Sequence, residues 1–149
     1  MAKFIGVKMI EATPMRASMA LSAGYKIGNA HPDDMGYEVT YPDGYKSWSP
    51  AKEFEKAYYK LEDPTGDTLK ENDIKRFIKG IENVKVGTKT TNTTLTCLTG
   101  FEVHGQAACV KPENFDLNVG ATYAQIKAED KIWEGLGFVL QWAKYGLKK

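Results

Sequence analysis

The chain has 149 residues, 42% of them hydrophobic and 26% charged, with 20 Lys and Arg against 19 Asp and Glu. A chain of this size buries roughly 68–70% of its unfolded surface, enough for a core without covalent staples. Its net charge of +1 excludes an acidic mimic of nucleic acid and a strongly basic nucleic-acid coat, and its 6 Phe, 8 Tyr and 3 Trp exclude a chain that never packs. No apolar run approaches the roughly 18–20 residues that span a membrane. Lysines interrupt the opening stretch MAKFIGVKMIEA, which has no cleavage-site pattern. The expectation is a soluble cytoplasmic protein with no secretion signal.

Lys3 to Glu11 alternates Phe4, Ile5, Val7, Met9 and Ile10 with lysines and reads as a strand. Residues 13–35 are irregular, with room for a short helix over Arg16 to Ala23. Tyr37-Glu38-Val39-Thr40-Tyr41 alternates, and Pro42-Asp43-Gly44 turns it back into Tyr45-Lys46-Ser47-Trp48, so 36–48 form a hairpin. Ser49-Pro50 opens a helix with Phe54, Ala57, Tyr58 and Leu61 at helical spacing, Ser49 offering a cap. Trp48 is expected to pack against that helix's Phe54/Tyr58 face. Ile74, Phe77, Ile78 and Ile81 predict a second helix from about Thr68 to Glu82. Residues 84–92 read as a connector or weak edge strand.

Thr93–Leu98 and Phe101–Val110 predict a second hairpin closed at Thr99-Gly100. A long helix follows from about Asp116 to Glu134, capped by Asn114 or Asp116. Gly135 and Gly137 stop it, and Phe138–Trp142 alternate as a final strand. The fold class is therefore α+β: two β-hairpin-plus-helix units, the second a hairpin, a long helix and a final strand. The boundaries fall at 1–61, a hairpin/helix module; 62–92, a helix and connector; and 93–149, a hairpin-helix-strand module, with one compact domain left open.

Cys97, His104 and Cys109 match no zinc-ligand spacing, and no metal or cofactor is expected. The two cysteines lie at different distances from one hairpin turn, beyond disulfide reach, and are expected reduced. Walker-type, Gly-x-Ser-x-Gly and His-Glu-x-x-His patterns are absent, so no catalytic residue is assigned and the protein is expected not to be an enzyme.

The long helix carries more. At 100° per residue, Ala121, Ala124, Ala128 and Ile132 form one apolar stripe, and Val119, Tyr123, Ile126 and Trp133 a second, nearly opposite. Such a helix is buried on two sides, one of them by something outside its own sheet. Lys127 and Lys131 stand one turn apart beside Tyr123, either as two solvated lysines or as cations with an anion between them. Tyr41 and Tyr45 flank the first turn and are available for stacking on a partner.

Two stretches resemble known proteins. Lys8-x-Ile10-x-Ala12-x-Pro14-Met15, Gly36-Tyr37-x-Val39-x-Tyr41-Pro42-Asp43-Gly44-Tyr45-x-Ser47-Trp48-Ser49-Pro50 and Phe54-Glu55-x-Ala57-Tyr58 resemble an N-terminal module of small tailed-phage proteins. Gly100-Phe101-x-Val103-x-Gly105, Ala108-Cys109-Val110-x-Pro112-Glu113-Asn114-Phe115 and Lys131-Ile132-Trp133 resemble a tailed-phage accessory protein family of unknown function. The N-terminal module is also seen beside Thoeris anti-defence domains, oligomeric sponges for cyclic ADP-ribose-like immune signals. That sponge domain is absent here, and Arg16-Ala17-Ser18-Met19-Ala20 replaces the Gly-Glu-Tyr-rich stretch that usually follows the proline and methionine.

The resemblance implies a phage anti-defence protein of the host cytoplasm that sequesters a small cyclic nucleotide or related phosphate ligand without catalysis. On this reading Lys127 and Lys131 take phosphates, Phe101 or Tyr123 stacks on a base, and His104 or Asn114 adds polar contacts. A homo-oligomer is expected, with no membrane or nucleic-acid partner. The alternative is a protein–protein inhibitor of a host defence or nucleic-acid enzyme, anchored by the first hairpin's tyrosines.

Overall fold

In the computed structural model, which describes residues 1–149, the first hairpin pairs β2 (Gly36–Thr40) with β3 (Lys46–Pro50), Glu38 facing Trp48. Its turn residues act as their chemistry dictates: Gly44 takes φ +89°, and the Asp43 carboxylate accepts the Tyr45 N–H at 2.9 Å. Only Glu11–Pro14 (β1) joins the other side of β2, in place of the strand expected from Lys3 to Glu11. Glu11 lies opposite Thr40, where β2 turns away, so residues before Glu11 have no ladder partner and Phe4 and Ile5 stay exposed.

The two faces of this sheet are covered separately. Trp48 packs with Ala17 and Ala20 of α1 (Ala17–Ser22) and with Met15, Tyr25, Ile27 and Ala30. Its indole N–H donates to the Met15 carbonyl at 2.8 Å. Gly36 leaves room for the ring, since a Cβ there would stand 2.3 Å from it. The expected partner, α2 (Ala51–Ala57), stacks Phe54 on Tyr37 at 4.2 Å instead. Strand alternation explains the difference: Trp48 shares a face with Glu38, and Tyr37 points the other way. Pro50, not Ser49, is the N-cap of α2, and the Ser49 hydroxyl donates to the Pro50 carbonyl.

These elements, with Trp142–Lys149, form one of two compact units; Leu61–Gln141 form the other. The second holds α3 (Glu71–Arg76), β4 (Ile78–Val86), β5 (Thr90–Cys97), β6 (Glu102–Ala108), a 3-10 turn at Pro112–Asn114 and most of α4 (Leu117–Tyr145). The helix expected over Thr68–Glu82 is thus a short helix and then a strand. A bulge between Ile78 and Gly80 inserts one residue, so Ile78 faces Cys97 and Ile81 faces Leu95, both on the buried side of β5. Three-residue spacing on one face, the mark of a helix, here marks a bulged strand. Of the two readings of 84–92, the edge strand holds for its start: β4, an edge of its sheet, ends at Val86, Gly87 at φ +65° turns the chain, and β5 begins at Thr90.

Thr91, Thr93, Leu95 and Cys97 of the central strand face α4. The core joins Ile74, Leu95, Cys97, Ala128 and Ile132, with Leu69, Phe77, Ile78, Val103 and Leu136 packed around it. Gly105 and Gly120 let backbone approach backbone and side chain: a Cβ at Gly105 would lie 2.1 Å from the Ala124 carbonyl oxygen, and one at Gly120 2.0 Å from Thr91 Oγ1. The helix start is as expected, Asp116 Oδ1 accepting the N–H groups of Asn118 (2.9 Å) and Val119 (3.1 Å). Its end is not: the expected strand at Phe138–Trp142 is the last part of α4. Two glycines cost a helix about 1 kcal/mol each, a penalty that the packing of Leu136 on the core offsets. The helix stops instead at Gly146, at φ +68°, whose N–H donates to the Trp142 carbonyl.

Cys97 and Cys109 are free thiols, and burial pushes the Cys97 thiol up from its ordinary pKa. No helix is long and apolar enough to cross a membrane.

The loop before α3 makes one prediction. Asp63 Oδ1 accepts from the Thr65 N–H (2.9 Å) and hydroxyl (2.7 Å), and Oδ2 from the Thr68 hydroxyl (2.9 Å) and N–H (3.1 Å). These bonds, those of Thr65 first, hold its carboxyl at about 2 against an ordinary 3.8. A depressed folded pKa stabilises above the unfolded value, and the contribution is lost as pH falls from about 4 towards 2. Carbon NMR titration is expected to place the Asp63 midpoint near 2. Thermal melts of Asp63→Asn should fall less steeply across that window than those of the wild type. A midpoint near 4 would remove the claim.

Candidate functional site

The outward side of α4 carries the residues singled out on that helix. With Ala124, Ala128 and Ile132 buried on the sheet, Val119, Tyr123, Ile126 and Trp133 are exposed. Tyr123, Lys127 and Lys131 follow at four-residue steps along the edge of this open stripe. Both lysines are exposed, and neither forms an ion pair. The edge therefore presents an aromatic ring and two unpaired cations to solvent within two helical turns.

The other expected site residues lie elsewhere. His104, on β6, pairs across from Thr94, and its Nδ1 is 3.0 Å from the Thr94 hydroxyl and 3.4 Å from Asn92 Nδ2. That row, with Glu82 opposite Thr94 on β4, occupies the sheet face away from α4, because Thr94 alternates with the buried Thr93 and Leu95. Phe101, 71% exposed, sits at the Thr99-Gly100 turn. Asn114 lies beyond the opposite end of β6, in the exposed 3-10 turn. The seven residues of β6 hold these two apart by roughly 20 Å. The structure thus brings Tyr123, Lys127 and Lys131 together on one helix edge, puts His104 on the far face of the sheet and sets Phe101 and Asn114 beyond opposite ends of β6.

The break from α3 into β4 creates a feature that a single helix over 68–82 would lack. A cleft of about 280 Å³ is lined by Lys75, Ile78, Lys79, Gly80, Ile81 and Gln125. On one side Lys75 Nζ donates to both oxygens of Glu129, at 2.7 and 2.9 Å, and Gln125 Nε2 donates to Glu129 Oε1 at 2.9 Å. Glu129 is only 8% exposed, so these donors are its compensation for lost water. Lys79, the bulge residue, forms no ion pair. The available sequence signal was Gly80 inside the helical pattern, followed by the strand-forming VKVGTKTTNTT. No group of three or more His, Cys, Asp or Glu is placed to hold a metal ion.

A bulged antiparallel sheet covered on one face by a long helix defines the second unit as a small α+β domain. Residues 68–143, from just before α3 to near the end of α4, match a family model, and the chain belongs to the phage protein (N4 Gp49/phage Sf6 gene 66) family. The N-terminal module lies outside the matched residues. No curated protein and no solved structure matches the chain.

Proposed function

We propose that this phage protein counters host defence by sequestering a phosphate-bearing nucleotide signal in the host cytoplasm, as a homo-oligomer and without turnover. The observation that carries the reading is the α4 edge, where Tyr123, Lys127 and Lys131 stand together and both cations lack an acidic partner. Two lysines one turn apart repel by a few tenths of a kcal/mol. A phosphate between them converts that repulsion into charge-assisted bonds, and the exposed ring offers a face to a base. A second copy seated on the adjoining stripe of Val119, Ile126 and Trp133 would exclude water from so open a site.

The test is native mass spectrometry of protein purified from a host with an active nucleotide-signalling defence, followed by denaturation to release ligand. The expected result is an oligomer carrying a releasable nucleotide. Lys127→Glu and Lys131→Glu should each weaken rebinding of that nucleotide by about tenfold or more, the worth of one charged hydrogen bond. A ligand-free protein, or a nucleotide held equally well by both variants, overturns the reading.

A second reading, inhibition of a host defence or nucleic-acid enzyme by protein–protein contact, is supported by the first hairpin. Tyr41 and Tyr45 stack there at 5.8 Å, with Tyr45 65% exposed, the kind of rigid aromatic pair that anchors interfaces. Its mark is a protein that stays monomeric until it meets its target.

A further inference from the structure

β4 is an edge of the second sheet, paired with β5 on one side only. Its outer backbone N–H and C=O groups have no strand partner. At nine residues it is longer than the usual strand of about 5–6, it contains no proline, and Ile81, Val84 and Val86 are exposed along it. Proteins blunt such an edge by shortening it, covering it, or placing proline, lysines or a bulge on it, because an open edge is a template for another strand; β4 carries Lys79, Lys85 and one bulge but keeps its length. The one irregularity of β4, the bulge at Lys79, places that residue in the lining of the neighbouring cleft.

The cleft supplies what a strand-binding groove needs beside its edge. Ile78 and Ile81 give apolar lining, Gln125 stands on the helix side, and about 280 Å³ accommodates one or two side chains. Its charge is unbalanced. Lys75 and Glu129 offset each other, leaving Lys79 without an anion. A second copy of this strand fits it less well. Pairing over all of β4, about a two-fold centred on Glu82, sets Glu82 against its own copy and Lys79 against Lys85, both like-charge contacts, and the registers that pair Glu82 with Lys79 or Lys85 shorten the ladder to about six residues.

We propose that the β4 edge and this cleft form a strand-accepting groove for an extended acidic segment of a partner protein. The segment's main chain continues the sheet along β4, and a carboxylate side chain enters the cleft beside Lys79. This goes beyond the nucleotide reading and uses none of its residues, nor Tyr41 or Tyr45.

The full-length protein, labelled with nitrogen-15, tests this by NMR titration with the peptide acetyl-Thr-Val-Glu-Val-Thr-Val-amide and its Lys-for-Glu counterpart. Amide shifts are expected over 78–86 and at the Gln125 side chain, with new protection from hydrogen exchange on β4. The glutamate peptide should bind about fivefold more tightly than the lysine peptide, and Lys79→Glu should reverse that order. Lys79 is exposed, and the variant's own spectrum verifies its fold. Absence of binding at millimolar peptide, shifts confined to other elements, or a charge preference that survives Lys79→Glu each overturn the groove. Concentration-dependent broadening of β4 without peptide would assign the edge to a second copy and overturn it too.

Discussion

Gly105→Ala is expected to lower the melting temperature of the second unit by roughly 12–24 °C, taking a cost of about 3 kcal/mol and the 4–8 °C per kcal/mol typical of a domain this size. The added methyl would sit 2.1 Å from the Ala124 carbonyl oxygen and 2.5 Å from the Ala128 amide nitrogen. Both are helix backbone atoms, so no side chain can swing aside. Either α4 lifts from β6, loosening Ala128 and Ile132 from Leu95, or the strand bends away. Gly135→Ala is the control, made inside α4 where a Cβ meets nothing within 4 Å. It should stabilise by about 0.5–1 kcal/mol through helix propensity alone. Circular dichroism melts of both variants decide the matter: a Gly105→Ala protein that melts with the wild type would mean that α4 does not lie on β6 as described.

Asp73→Ala is expected to cost about 2–4 kcal/mol, chiefly for the backbone donors that lose their buried acceptor, since the Arg76 guanidinium left behind is partly exposed. Asp73 is fully buried. Its Oδ1 accepts the Glu62 N–H at 2.9 Å and an Arg76 guanidinium N–H at 2.8 Å, and its Oδ2 accepts the Lys70 N–H at 2.8 Å. One carboxylate therefore caps α3, pins the strand of chain arriving at Glu62 and neutralises Arg76. Alanine leaves two backbone donors without this acceptor, at about 1–3 kcal/mol for each that stays dry. Asparagine keeps one acceptor but must present either an N–H to the Lys70 amide or one to Glu62 and Arg76. It should recover part of the loss and no more. Urea unfolding measures the series, and an alanine variant within about 1 kcal/mol of wild type would refute the assignment.

How far these elements were legible in the chain differs by the range of the forces that set them. The turn at Pro42-Asp43-Gly44, the Thr99-Gly100 hairpin, the Asp116 cap and the buried stripe of Ala124, Ala128 and Ile132 are local matters. Dihedral preference, a side chain reaching its own backbone and helical periodicity all act within a few residues. So the α+β class and both hairpins followed from the residues. The open stripe of Val119, Tyr123, Ile126 and Trp133 was legible too, since a helix apolar on two sides cannot hide both against one sheet.

The rest was decided at longer range. Ile74, Phe77, Ile78 and Ile81 satisfy a helix, and only the eight residues of β5 demanding a partner draw Ile78 and Ile81 into a bulged strand. Gly135 and Gly137 resemble a helix end until Leu136 finds the core. Trp48 had two faces of one sheet to choose between, and strand register, not its own neighbours, placed α1 over it. The candidate site follows the same division. Tyr123, Lys127 and Lys131 share one helix edge by periodicity, as four-residue spacing on a helix requires. His104 was separated from them by a single-residue alternation on β6 that sends it to the other face of the sheet. The β4 groove exists only because residues far apart in sequence, Lys79 and Gln125, meet across the gap between an edge strand and a helix. Local chemistry thus determined which elements this chain could form, and the competition among its apolar surfaces for shared burial decided which of them it kept.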